Sequence, residues 1–320
     1  MLLQPVRDTE EDAEAVRQLA EASFAASHAA KGDSPGAFPD GGAPHGGEPS
    51  AAPLVPLAGA DRGAADDPGQ PARSRERIRH LARTDPGGSW VAADTDGRPV
   101  GAAQSLIREG TWALALLAVL PEAQGKGVGT ALLERTMRYG RACLRGIISC
   151  SRHPVAARTY RKAGFELHPA MRLHGTVDAT RLEAPDGAVF VGSPAQRDLM
   201  DSVDRRLRGG AHGADHKFLL RHHRVLVSDD LAGSGYCYVR ENGRIELLAA
   251  TSRRLATRLL TAALLSLPQG TRASVHDLTA DQQWAVDVGL AAGLEVTTGG
   301  YLCLRGMRPP SPYIPSGGFL

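Results

Sequence analysis

Aromatic side chains are scarce in this chain, at 5% of 320 residues, and neither sign of charge dominates: 37 basic and 35 acidic residues leave a formal net charge of +2. That balance provides no cationic stripe for a polyanion, so nucleic acid is not an expected partner. The four cysteines, Cys143, Cys150, Cys237 and Cys303, never fall at Cys-x-x-Cys spacing, so neither a zinc knuckle nor a disulfide framework is indicated. They are expected as reduced, mostly buried thiols. No apolar run reaches the ~18 residues a membrane span needs, and residues 1–7 lack a signal-peptide core. The expectation is a cytoplasmic protein with no membrane partner.

What the chain does have is a glycine-rich turn between an apolar strand and a helix. Leu116-Leu117-Ala118-Val119 runs into Gln124-Gly125-Lys126-Gly127-Val128-Gly129-Thr130 and then into Ala131-Leu132-Leu133. Glycines there let phosphate oxygens reach backbone N–H groups, and a helix N-terminus adds a partial positive charge of roughly half a unit. A P-loop would need Gly-Lys-Ser/Thr, but Lys126 stands between glycines. A Rossmann fingerprint needs Gly-x-Gly-x-x-Gly and an acidic residue about 20 positions on, whereas the spacing here is Gly-x-Gly-x-Gly and the next strand ends in Ser149-Cys150-Ser151-Arg152. ATP and NAD are both disfavoured.

The length suggests two domains. Apolar periodicity places a strand over 1–7, a helix over 10–26 and a helix over 73–83, with strands at 89–93, 99–107 and 111–119. A helix to about residue 145, a strand over 146–151, a helix over 154–163 closed by Gly164, and a strand over 171–177 complete the first unit. Residues 28–70, rich in Gly, Pro and Ala, read as a flexible insertion, either a lid or a tolerated loop.

The second half echoes the first. Leu247-Leu248-Ala249-Ala250 matches Leu116-Leu117-Ala118-Val119, and Ala292-Gly293-Leu294-Glu295 matches Ala163-Gly164-Phe165-Glu166. The echo implies duplication, but the second copy has Thr251, Ser252, Arg253 and Arg254 where the glycine turn should be, and Gly289 at the place of Tyr160. No nucleotide cofactor is expected to bind the second copy in the same manner.

The Gln-x-x-Gly-x-Gly turn after Val119-Leu120-Pro121, followed by Tyr160-Arg161-Lys162-Ala163-Gly164-Phe165, resembles the GNAT superfamily of acyl-CoA-dependent N-acyltransferases. The resemblance implies an α/β mixed sheet in two tandem GNAT-like acyltransferase domains, residues 1–178 and 188–306, the second lacking the pyrophosphate loop, with a tail over 307–320. It also implies pantetheine in a gap between two splayed strands, paired with backbone groups of Leu117 and Val119, and a pyrophosphate on the N–H groups of Gln124, Gly125, Lys126, Gly127, Val128, Gly129 and Thr130. Acetyl-CoA would be the cosubstrate.

Transfer to an amine of pKa about 10.4 requires deprotonation costing about 4–5 kcal/mol at pH 7. Glu109, His153 or a water chain are candidate acceptors of that proton. Glu109 also reads as a plain turn carboxylate beside Gly110, and His153 stands where the family usually has Asn, so it could instead bind the cofactor. Tyr160 is either the donor that protonates the departing thiolate or a core aromatic. Cys150 reads as a buried filler. His212, His216, His222 and His223 are expected as solvated histidines, with no metal site.

The leading expectation is an N-acetyltransferase moving an acetyl group from acetyl-CoA to a primary amine, on a small molecule or a protein, by direct attack. The alternatives are a non-catalytic acyl-CoA-binding sensor, or a second half that serves as a scaffold completing the acceptor cleft or a dimer face. Monomer and homodimer both remain open.

Overall fold

The structure, a computed structural model, describes residues 1–29 and 69–320. The insertion expected over 28–70 lies, apart from its edges, outside the described residues. The first half comprises β1 (Leu2–Pro5), α1 (Glu10–Ala29), α2 (Gln70–Thr84), β2 (Ser89–Ala93), β3 (Pro99–Arg108), β4 (Thr111–Val119), α3 (Val128–Tyr139), β5 (Arg145–Cys150), α4 (Pro154–Lys162) and β6 (Glu166–Thr176). The second comprises β7 (Phe190–Val191), α5 (Arg197–Arg208), α6 (Asp215–His222), β8 (Arg224–Asp230), β9 (Gly233–Val239), β10 (Ile245–Ala250), α7 (Arg253–Leu265), β11 (Arg272–Leu278), α8 (Gln283–Ala291), β12 (Glu295–Arg305) and β13 (Tyr313–Ile314).

Local chemistry accounts for several element ends. Thr9 Oγ1 accepts the Asp12 N–H at 3.2 Å, and Glu10, Glu11 and Asp12 occupy the first turn of α1, favouring its positive end. Helix α3 stops at Tyr139 rather than near residue 145. Gly140 lies flat against the Trp112 indole, and a Cβ there would approach Trp112 Cδ1 to 2.2 Å. Helices α4 and α8 end identically at positions 129 apart. Phe165 N bonds Tyr160 O at 3.0 Å, Leu294 N bonds Gly289 O at 2.9 Å, and Gly164 and Gly293 have φ of 88° and 80°. Two copies of one helix-stop motif support the duplication.

The strands do not segregate by half. An eight-stranded sheet has the order β1-β2-β3-β4-β5-β12-β6-β11, with β4 and β5 parallel, and a five-stranded sheet has the order β13-β10-β9-β8-β7. Strand β12 lies between β5 and β6, pairing Tyr301–Arg305 with Cys150–Gly146 on one side and Glu295–Leu304 with His174–Glu166 on the other. Strand β6 in turn lies between β12 and β11. Strands β6 and β12 thus each fill a slot in the other half, so β6, expected to complete its own unit, completes the second. It also begins at Glu166, earlier than residue 171, because β12 pairs along its whole length.

A buried ionic cluster joins the halves a second time. The Arg108 guanidinium donates to both Asp215 carboxylate oxygens at 2.7 Å and to Asp85 at 2.8 and 3.1 Å, while His80 Nε2 lies 2.8 Å from Asp215. Burial opposes ionisation of Asp215, but the His80 and Arg108 hydrogen bonds outweigh it and hold the carboxyl below its usual range.

Two outcomes are expected. A chain ending at residue 187 loses β12 and leaves β5 and β6 as facing open edges; size-exclusion chromatography and circular dichroism should show no soluble, folded monomer. Asp215→Ala removes one of the two carboxylates that hold the buried Arg108 guanidinium, leaving Asp85 as its remaining partner, and should cost about 3 kcal/mol in urea unfolding. Because the folded pKa of Asp215 lies below its unfolded value of about 3.9, its contribution is complete above that pH and is lost as pH falls through the folded value. The acid-unfolding limb of Asp215→Ala should therefore be shallower than that of the parent protein.

Candidate active site in the strand splay

Strand β4 pairs with β5 only from Thr111 to Leu114. Beyond that point β5 continues with β12 and β4 with β3, so residues 115–119 border a gap. Leu120 N bonds Val100 O at 2.9 Å, which directs the backbone of Leu120 and Ala118 toward β3 and, by alternation, that of Leu117 and Val119 into the gap. The side chains of Leu117 and Val119 are buried in the core against α3 and α4. The Val119 carbonyl accepts from Ser23 Oγ at 2.9 Å and Gln124 Nε2 at 2.8 Å, leaving its N–H for a ligand.

Gln124 therefore uses its amide nitrogen to fix the strand end. Gly125 and Gly127 have φ of 73° and 82°, the left-handed region costly to other residues, and a Cβ on Gly127 would meet nothing within 4 Å. Gly125, Lys126, Gly127 and Thr130 are exposed. No side chain caps α3, and the backbone bond from Ala131 N to Gly127 O leaves the N–H groups of Val128, Gly129 and Thr130 ahead of it. This uncapped, sterically open end fits a pyrophosphate.

Tyr160 sits on α4 with no exposed surface, beside the Cys150 and Cys303 thiols, and its hydroxyl has no hydrogen-bond partner among the described residues. Burial raises its pKa well above the usual value, so it keeps its proton. Cys150, 3.5 Å from Cys303 Sγ, is a buried core thiol. His153 caps α4: its Nδ1 accepts the Val155 N–H at 3.2 Å, which leaves that nitrogen no lone pair for an incoming proton.

Glu109 is not brought to this site. It lies in the β3–β4 turn, ion-paired with Arg205 at 2.7 Å and accepting the Ala211 N–H at 3.1 Å, and the Arg205 hydrogen bond lowers its pKa. The nine residues of β4 separate it from the glycine turn by roughly 30 Å at ~3.3 Å per residue. A different carboxylate lies at the splay. Asp277, in a bulge of β11 with φ of 59°, accepts the Ser149 hydroxyl at 2.7 Å. Ile148 and Cys150 face α3 and α4, so Ser149 and Asp277 lie on the opposite face. The two residues are 128 positions apart, and no sequence signal links them.

The second half has closed its equivalent gap. Ser252 Oγ caps α7 by accepting the Leu255 N–H at 3.4 Å, and Asp186 pairs with Arg254 and Arg258 across that helix. Strand β13 from the tail pairs with Leu248 and Ala249, the counterparts of Leu117 and Ala118. Backbone that would otherwise face a ligand there faces the protein's own chain.

The expected solvated histidines are in part buried. His212 and His216 have no exposed surface: His212 Nδ1 lies 2.8 Å from Asp204 Oδ2, and His216 Nε2 lies 3.3 Å from the same oxygen. Tyr236 donates to Asp204, and Tyr238 lies 3.1 Å from His216 Nδ1. The donor atoms of Asp204, His212 and His216 fall within 4.8 Å of one another, a spacing a cation could use, but here they bond one another and tyrosine hydroxyls. Burial opposes ionisation of Asp204, yet the His212 and His216 contacts hold its pKa low; contacts with Asp201 and Asp204 outweigh burial to raise that of His216.

A mixed sheet splayed beside a glycine turn that opens a helix, built twice with exchanged last strands, defines a tandem α/β protein of the GNAT fold. Residues 59–165 match the acetyltransferase (GNAT) family, so that stretch of the first half is similar to a GNAT acetyltransferase domain. A Pyrococcus horikoshii protein put forward as an acetyltransferase superposes with TM-score 0.63 at 18% identity, over 79% of this chain and 88% of its own. A tandem GNAT protein from the clavulanic acid biosynthesis pathway gives 0.56 at 13%, over 96% and 99%. A GCN5-related N-acetyltransferase from Sphaerobacter thermophilus gives 0.53 at 15%, over 98% of each chain. No curated protein matches the sequence. No helix among the described residues is long and apolar enough to cross a membrane.

Because the Tyr160 hydroxyl is buried without a partner, its removal should not weaken the fold. Tyr160→Phe is expected to melt at the parent temperature or above it, as measured by differential scanning calorimetry.

Proposed function

We propose that the first half transfers an acetyl group from acetyl-CoA to a primary amine. The observation that carries this reading is the uncapped N-terminus of α3, with exposed left-handed glycines, opening directly beside the unpaired backbone of β4. The turn from Gln124 to Thr130 would hold the pyrophosphate, and the Leu117 backbone groups would hold a pantetheine amide, since the Val119 carbonyl is engaged by Ser23 and Gln124. Bound there, the thioester supplies an activated acyl carbon.

The two faces of the splay offer complementary chemistry. On the α4 side, Tyr160 keeps its proton at neutral pH and can donate it to the departing sulfur. On the opposite side, Asp277 is the carboxylate suited to receive an ammonium group and relay its proton, oriented by Ser149. The Val119 N–H can stabilise the developing oxyanion, worth on the order of 10²-fold where such donors exist. Glu109 and His153 play no part in proton transfer in this mechanism, since Arg205 and the α4 cap engage them.

Free-thiol release from acetyl-CoA across a panel of amines tests the proposal. Acceptor-dependent release supports transfer; saturable CoA binding without release assigns a sensor instead. Gly127→Val forces a branched side chain into left-handed backbone, costing about 1–2 kcal/mol, and calorimetry should show CoA affinity falling roughly tenfold or more. Tyr160→Phe should lower turnover and leave CoA affinity unchanged.

A further inference from the structure

Far from the splay, an open pocket of about 410 Å³ lies where the C-terminal end of α5 meets residues 307–311. Arg145, Arg205, Arg206, Arg208 and Arg308 line it, and no carboxylate does. Glu109 neutralises Arg205. Among the described residues Arg145 is held by uncharged acceptors, Thr111 Oγ1 at 3.0 Å and the carbonyls of Glu109 and Gly209 at 3.1 and 2.5 Å, and no carboxylate compensates its charge. Arg206 and Arg308 are exposed, and neither makes an ion pair among the described residues.

Arg208 is the unusual member. It is 1% exposed, and all three guanidinium nitrogens are buried without a hydrogen-bond partner among the described residues. A buried cation is normally paired, because removing it from water is costly. Asp204, one helical turn earlier, is not available. Its oxygens already accept from Tyr236, from the His212 ring and backbone and from His216. The negative end of the α5 dipole explains a preference for basic residues in this turn, but not a guanidinium buried with no acceptor.

We propose that this pocket binds a small polyvalent oxyanion, a compound bearing two or more phosphate or carboxylate groups. Arginine forks match both groups bidentately, and four uncompensated guanidinium groups select for more than one negative charge. The volume lies within the ~300–1,000 Å³ range of small-molecule sites. The pocket sits beside the start of β4, whereas the glycine turn follows its end, so the inference does not depend on how the splay is used.

Thermal unfolding of the full chain with inorganic pyrophosphate and with citrate tests it, each at matched ionic strength. The expected result is a saturable rise in Tm of a few degrees with at least one anion, beyond that given by chloride. Pyrophosphate alone acting assigns phosphate recognition, and citrate alone assigns carboxylate recognition. A double variant of two exposed residues, Arg206→Ala with Arg308→Ala, should fold normally and bind the effective anion roughly tenfold or more weakly. That variant separates the pocket from anion binding at the glycine turn. Arg208→Met removes the unpaired cation: it should melt no lower than the parent without anion and lose the response to anion. No saturable effect of either anion, or an effect unchanged in the double variant, overturns the proposal.

Discussion

The exchange of β6 and β12 is the constraint on which the remaining architecture depends. In the order β5-β12-β6-β11, the middle two strands each belong to one half and lie beside the other half's strand. Backbone hydrogen bonds in a sheet interior have no cheap substitute, so neither half can separate without exposing a full strand edge. The Arg108, Asp85, Asp215 and His80 cluster reinforces the same union from another direction. A duplicated chain thereby behaves as one structural body, and the second half can lose a site without becoming dispensable.

That division of labour is visible residue by residue. Where the first half leaves α3 uncapped behind glycines, the second caps α7 with Ser252 and brackets it with arginine–aspartate pairs. Where the first half leaves the β4 backbone open, the second pairs β10 with β13. Where Tyr160 stands in α4, Gly289 stands in α8, and Leu173 of the exchanged strand packs so closely that a Cβ there would approach its Cδ1 to 2.5 Å. The second half retains the scaffold while its gap is filled by its own chain. In return it supplies β12 and the Asp277 carboxylate to the first half's splay.

The buried polar groups separate into those that bind the protein together and those that remain unspent. Asp204 collects His212, His216 and Tyr236, and Asp215 collects Arg108 and His80, so both carboxylates are satisfied within the fold. The Tyr160 hydroxyl and the Arg208 guanidinium are left without partners among the described residues, one beside the splay and the other at the arginine-lined pocket. Groups of this kind are costly to bury, and a ligand that supplies the missing partner recovers part of that cost.

Short-range chemistry was legible from the residues themselves. The glycine turn, the strand before it, the helix after it and the repeated helix stop at Gly164 and Gly293 depend on contacts a few residues apart, and β4 has the limits that its apolar pattern indicates. The loss of the turn in the second copy was equally readable, because it is a local replacement. What the sequence could not specify were pairings across long separations. These include the strand beside β5, the partner of Glu109, the burial of His212 and His216, and the Ser149–Asp277 contact. Each depends on which surfaces the exchanged strands bring together, and alternation along one strand determines a face but not its neighbour.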